Sequence, residues 1–268
     1  MTGTPWIAPD EPAPFEAVNP GGGSPFLLLC DHASNRVPRR LDGLGLAPGR
    51  LADHIAWDIG AARVARRASA ALDAPLFLAA YSRLVIDCNR PPGAPDSIAP
   101  VSADIAVPGN RGVTAEEARE RAAAFFWPYH RAIAALLDER RARGLPGAIV
   151  SVHSFTPTLL GRSRPWHIGV TYHRDRRLAD AILAELRRDP GIAVGDNQPY
   201  AVTPEGDYAI PVHGEGRDLP CALIEIRQDM IADEPGARRW ADRLAGALTA
   251  VGRDAKLVGP RLKGAPRP

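Results

Sequence analysis

The chain has few cysteines, no long apolar run and no large excess of either charge, and each shortage closes off a class of protein. Its three cysteines, Cys30, Cys88 and Cys221, cannot make a paired disulfide set, and none lies in a CxxC pattern. Each sits in or beside an apolar run (FLLLC, LVIDC, CALI), so each reads as a small buried hydrophobe on a strand. A reducing, cytoplasmic compartment fits that usage. No apolar stretch approaches the roughly 18 residues of a membrane span. The opening MTGTPWIAPDEPAPFEAVNPGGGSP lacks a basic segment followed by an apolar one, so it does not read as a signal peptide. Net charge is only +2. The Arg-Arg pairs fall mostly inside helical patterns, the usual solvated face of a helix, which argues against nucleic acid as a partner.

What is present is an ordinary globular composition, 45% hydrophobic and 24% charged over 268 residues, enough to bury a core in one domain without help from disulfides or metal. An irregular arm is expected over 1–24 and a flexible tail over 259–268. Short apolar runs predict strands at 26–30, 74–79, 84–87, 148–152, 167–171 and 222–226. Amphipathic spacing predicts helices at 59–72, 114–143, 178–186 and 235–251. The third of these runs from Leu178 to Leu186 and closes at Pro190-Gly191. Thr114 followed by Glu117 is a capping-box signature for the second, Pro128 should kink it, and Gly144 and Pro146 should end it. Residues 91–112 hold five of the 27 prolines and read as a long functional loop. Strands alternating with helices imply an α/β architecture: a mixed, mostly parallel sheet covered on both faces, a three-layer αβα sandwich.

Three polar residues stand out by position. His32 follows the strand at 26–30, His153 follows the strand at 148–152, and Glu225 lies at the end of the strand at 222–226. Ligands bind beyond the carboxyl ends of strands in open α/β sheets, so one sheet edge would receive His, His and Glu. Two imidazoles, a carboxylate and a water compose a catalytic zinc site. The third ligand comes from DHIAWD at 53–58: Asp58, which otherwise serves as a first-turn cap, or His54. A glutamate inside CALIEI needs a partner or a function, because unpaired burial of its charge costs several kcal/mol. Arg227, two residues on, would share its face and could be that partner.

The segments CDHASNRVP (30–38), HIAWDIGA (54–61), YSRLVIDCNRP (81–91), SVHSF (151–155) and LIEIRQD (223–229) resemble the N-formylglutamate amidohydrolase family. The resemblance covers roughly residues 24–250. Ala56, not an acid, precedes Trp57, and the chain resembles a paralogous branch of that family. The resemblance implies a fold like the zinc-dependent exopeptidases. It implies one zinc ion held by His32, Asp58 and His153, with Glu225 as the base. The activity implied is hydrolysis of an N-formyl or N-acyl amide of a small carboxylate-bearing amino acid such as N-formyl-L-glutamate. Arg83, Asn89 and Arg90 would hold substrate carboxylates, since guanidinium forks match carboxylates bidentately. Arg227 could add to that clamp. His213 would sit on a mobile lid in the loop 204–218. His130 reads as structural, and His167 and His173 as ordinary polar placements.

Two other readings stay open. Ser34 and Ser154 adjoin the histidines and would suit a serine-type hydrolase, although no GxSxG elbow is present. The chain could also be a metal-retaining binding protein without turnover. The small-molecule partner is expected, a membrane is not, and nothing in the sequence addresses oligomeric state.

Overall fold

The computed structural model describes residues 5–145 and 147–258. Seven strands form one sheet: β1 Phe15–Val18, β2 Phe26–Cys30, β3 Leu76–Ala79, β4 Ala148–Phe155, β5 Ile168–Thr171, β6 Val194–Asp196 and β7 Cys221–Arg227. Their order is β1-β3-β2-β4-β7-β5-β6. The central strands β3, β2, β4 and β7 pair in parallel, β1 is antiparallel to β3, and β5 is antiparallel to β7. The mixed, mostly parallel α/β sheet is therefore as expected. Its inner strands are apolar and buried along their length, as strands covered on both faces should be.

Alternation along the strands decides which layer each residue meets. Phe26, Leu28 and Cys30 of β2, Val150 and Val152 of β4, and Ile224 and Ile226 of β7 pack with helices α1 Ala61–Leu72, α4 Arg177–Leu186 and α5 Glu234–Val251. Leu27 and Leu29, Ile149, and Cys221 and Leu223 point the other way. They meet Tyr129, Ile133 and Leu137 of the helix Trp127–Ala142. This second face is the one that carries the chemistry.

Several expectations need correction. The arm at 1–24 contributes β1, an edge strand whose exposed residues hid it from an apolar-run reading; residues 1–4 lie outside the described part. The expected strand at 84–87 is a buried turn. Its backbone groups are satisfied locally and by side chains: Ser82 Oγ accepts from Leu84 N, Asn110 donates to the Leu84 carbonyl and Arg121 to that of Val85. With the groups of Leu84, Val85 and Asp87 paired this way, the run needs no ladder. Strand β4 extends to Phe155, so His153 lies within the strand and not after it. Strand β6 was not foreseen. The loop 91–112 holds a small hairpin, Val101–Ser102 with Ile105–Ala106.

The long helix begins at Ala115, where Thr114 Oγ1 accepts from Glu117 N at 3.1 Å. The return half of the box is replaced by an ion pair of Glu117 with Arg121. A wider π-type turn over Ala122–Phe126 stands just before Pro128, whose missing N–H explains the break in the ladder. Gly144 adopts a left-handed conformation past the helix end. Pro146 and the tail 259–268 lie outside the described residues. No helix among the described residues is long and apolar enough to cross a membrane.

Candidate active site

The site forms where β2, β4 and β7 end. In register, Glu225 of β7 lies beside His153 of β4, and Leu29 of β2 beside Ser151. Counting by twos from the residues on the second sheet face, Leu27 and Leu29 lead to Asp31, Ile149 to Ser151 and His153, and Leu223 to Glu225. Sheet parity thus aims four polar side chains to one side. Asp58 arrives from a loop, and its backbone N–H donates to the His32 carbonyl at 3.0 Å. It does not cap α1. Gly60 holds the cap position at φ +84°, where a Cβ would stand 2.3 Å from the Ile231 carbonyl oxygen. Relieved of capping, the Asp58 carboxylate faces the histidines.

Asp58 Oδ2 lies 2.7 Å from His153 Nδ1 and 3.3 Å from His32 Nδ1. One potential ligand atom from each of the three residues falls within 4.8 Å of the others. The outer ring nitrogens are held as well. His32 Nε2 stands 2.7 Å from Asp87 Oδ1, and His153 Nε2 stands 3.1 Å from Asp31 Oδ2. Asp31 also accepts from the Tyr129 hydroxyl at 3.0 Å and from Ser151 Oγ at 2.8 Å. Asp87 accepts from Arg83 Nη2 at 2.6 Å and from Asn89 N at 2.8 Å.

Electrostatics here are set by burial against close charge. Burial would raise the pKa of Asp31, but the bond to His153 and its charge outweigh it and bring the carboxyl to about 2. Asp58 and Asp87 are likewise held below the ordinary range, Asp58 by the two histidines and Asp87 by Arg83 and His32, against burial. Burial would discharge His153, yet its bonds to Asp31 and Asp58 raise its pKa well above the usual value. Three ionised carboxylates thus surround the two imidazoles, with Arg83 as the nearby permanent cation. That surplus of negative charge suits a divalent cation. Two imidazole nitrogens and a carboxylate, each imidazole anchored from behind by a buried acid, form a donor set that fits zinc.

Glu225 borders the same cleft and is 7% exposed, with Oε2 buried and unpartnered among the described residues. Burial raises its pKa to about 7, opposed by His153 and reinforced by Asp58. A carboxyl poised there can exchange protons near neutrality. The cleft has a volume of about 300 Å³, and Arg83, Asn89, Arg90 and His54 also line it.

The expected carboxylate clamp divides on inspection. Arg83 is turned to Asp87 and stands 3.8 Å from Asp58, so its charge serves the histidine cluster. Asn89 uses its amide on the chain, accepting from Tyr208 N and Ala209 N and donating to Asp207 Oδ1. Arg90 pairs with Asp96 through Nε and keeps the cleft in reach. Arg227 and His213 are not brought to the site. Arg227 pairs with Asp229 instead of Glu225. His213 is not on an open lid. It is 3% exposed in a helical turn, with Nε2 2.9 Å from His130 Nδ1. His130 in turn donates from Nε2 to the Cys88 carbonyl at 2.7 Å.

Serine chemistry is disfavoured by geometry. Ser154 donates to the Ile59 carbonyl, and Ser34 accepts from Arg36 N. Ser151 Oγ lies 3.0 Å from His153 Nε2, but it is fully buried, away from the cleft lining. Sequence reasoning missed Asp31 and Asp87 as supports of the histidines and Tyr129 behind Asp31. Period-2 counting from Leu27 and Leu29 was the signal for Asp31. Nothing local pointed Asp87 at His32.

The family model for N-formylglutamate amidohydrolase matches residues 24–232. The crystal structure of gene product Atu2144 from Agrobacterium tumefaciens is 34% identical, with a TM-score of 0.87 over 92% of this chain and 99% of that one. The N-formylglutamate amidohydrolase from Ralstonia eutropha JMP134 is 20% identical, with a TM-score of 0.67 over 91% of this chain and 99% of that one, a likeness of fold. No curated protein matches the chain by sequence.

Proposed function

Because this chain belongs to the N-formylglutamate amidohydrolase family, we propose that it hydrolyses the N-formyl or N-acyl amide of a small carboxylate-bearing amino acid, N-formyl-L-glutamate being the first substrate to test. The observation that carries this reading is the unpartnered Glu225 carboxylate beside the His32, Asp58 and His153 cluster in one cleft. Those three residues would hold a single zinc ion. Bound there, the ion supplies Lewis-acid activation of water and of the amide carbonyl.

The chain's own groups account for the rest. Glu225 Oε2 removes a proton from water as the water oxygen bonds to the amide carbon. The same carboxyl returns that proton to the nitrogen as the C–N bond breaks, so formate or another carboxylate leaves with the free amino acid. Asp31 and Asp87 fix the histidine rings through their outer nitrogens. Arg90 offers a guanidinium to the α-carboxylate. Asn89 holds the segment 207–209 that forms part of the cleft wall.

Elemental analysis of the purified protein, of His153→Ala and of Glu225→Gln, run alongside hydrolysis of a panel of N-acyl amino acids, tests the reading. About one zinc per chain in the wild type and in Glu225→Gln, with loss in His153→Ala, is expected. Full zinc in His153→Ala would place the metal elsewhere. Tight ligand binding without turnover would make the protein a binder, and turnover insensitive to chelators would remove the metal from the mechanism.

A further inference from the structure

Behind one wall of the cleft lies positive charge that the reaction above does not use. Among the described residues, three arginines are more than nine-tenths buried: Arg121, Arg140 and Arg164. Arg121 is tied to Glu117, to Asn110 and to two backbone carbonyls. Arg140 donates to the carbonyls of Gly22 and Ser24. Arg164 makes no ion pair with an acid among the described residues. Its Nη1 stands 3.5 Å from Thr156 Oγ1, and its charge opposes the burial that raises the pKa of the Tyr200 phenol. Its guanidinium lies 4.7 Å from the centre of the Tyr200 ring and 5.9 Å from that of Phe155.

Those three neighbours, Phe155, Thr156 and Tyr200, all line the cleft. So does His54, whose Nε2 is buried without a hydrogen-bond partner among the described residues. The charges of Arg83 and Arg164 both act to lower the pKa of that imidazole, after burial. A buried guanidinium without a counter-ion is costly, and so is a buried ring nitrogen without a partner. An anion arriving in the cleft would relieve both. Aromatic stacking keeps the guanidinium fork in place beforehand, which suits a planar carboxylate.

We propose that Arg164, reached past Thr156 and Tyr200, and His54 of the same cleft form a second carboxylate subsite, separate from Arg90, that reads the side-chain carboxylate of the acyl amino acid. The proposal rests on the hydrolase reading above for the orientation of the substrate. The alternative is that Arg164 merely ties the hairpin at 158–163 to the Tyr200 segment by stacking. The two differ in what they discriminate. A carboxylate reader distinguishes an acid from its amide, and a structural tie does not.

The test compares N-formyl-L-glutamate with N-formyl-L-glutamine on the zinc-loaded wild type, Arg164→Met, Arg164→Lys and His54→Gln. The wild type should favour the acid. Arg164→Met should lower kcat/KM for the acid by about 10- to 150-fold, the worth of a lost charged hydrogen bond, and leave the amide nearly unchanged. Arg164→Lys should retain part of the preference, and His54→Gln should show a smaller loss in the same direction. Equal losses on both substrates, or a wild type indifferent to the carboxylate, would overturn the subsite. If Arg164→Met does not fold, the other two variants decide, and an unchanged acid-to-amide ratio in both would overturn it. If the wild type cleaves neither substrate, the hydrolase reading fails separately. Calorimetric binding of L-glutamate and L-glutamine then judges the subsite. Weaker L-glutamate binding in Arg164→Lys and His54→Gln, with L-glutamine unaffected, supports it, and equal affinities across all proteins would refute it.

Discussion

Glu225 and the arginines show how much a residue's role depends on what already occupies its polar atoms. Glu225 Oε2 has no partner among the described residues, whereas Arg83 is committed to Asp87. Glu225→Gln should therefore keep its metal while kcat falls by roughly 10²–10⁴, the usual worth of general acid–base catalysis. As the proposed base, Glu225 would work ionised, so activity should fall as pH drops through its pKa, about 7. A bound cation favours the carboxylate and moves that limb lower. A pH profile of kcat/KM on both proteins checks this, and an acid limb that survives in Glu225→Gln belongs to another group. Arg83→Met and Arg90→Met should part ways. Arg90→Met should cost about 10- to 150-fold on N-formylglutamate and little on its α-amide. Arg83→Met should cost both substrates alike and destabilise the fold, by about 1.5–3 kcal/mol for the charged bond lost from Asp87. A carboxylate-specific loss in Arg83→Met would return that arginine to substrate binding.

At the scale of elements, the β4–β7 pairing sets His153 beside Glu225, and the β7–β5 pairing sets Glu225 beside Gly169. The segment after β6 crosses directly over Gly169 to deliver Tyr200 to the cleft. A Cβ at Gly169 would stand 1.8 Å from the Gln198 carbonyl oxygen, so the crossing requires glycine there. Gly169→Ala should push this segment outward at a cost of about 1–3 kcal/mol, typical of overpacking. In a chain of this size that is roughly 2–12 °C in Tm. KM should rise more than kcat falls, because the cleft wall moves and the His32, Asp58 and His153 cluster does not. An unchanged Tm would mean that the crossing yields without strain.

For the whole molecule, the site lies at the border of a core that is packed without it. Apolar clusters fill both faces of the sheet, and the His32, Asp58 and His153 cluster sits at one edge. Chelated protein should therefore still unfold cooperatively. Zinc at about 100 times its dissociation constant should add about 2.7 kcal/mol by mass action, or roughly 5–11 °C in Tm. Scanning calorimetry with and without zinc measures it. Loss of folding on chelation would make the metal structural, and no shift at all would argue against a site at this edge.

The α/β architecture and the main buried strands were legible because short apolar runs and helical periodicity are local signals. His32, Asp58, His153 and Glu225 could be named for the same reason: each falls at or near a strand or helix end, where such folds place ligands. The structure brings those four together. What local pattern could not decide was pairing. The apolar stretch 84–87 looked like a strand, yet side chains from 82, 110 and 121 satisfy its backbone groups, and whether they do depends on distant parts of the chain. Arg227 looked near Glu225 by sequence and pairs with Asp229, while Asp87, 55 residues from His32, holds its ring. The sequence by itself determined which residues could do chemistry and which stretches would be buried. Only the tertiary structure decided which polar atoms are spent on one another and which, like Glu225 Oε2, are left for a ligand, because a hydrogen bond is settled by distances of a few tenths of an ångström between segments far apart in the chain.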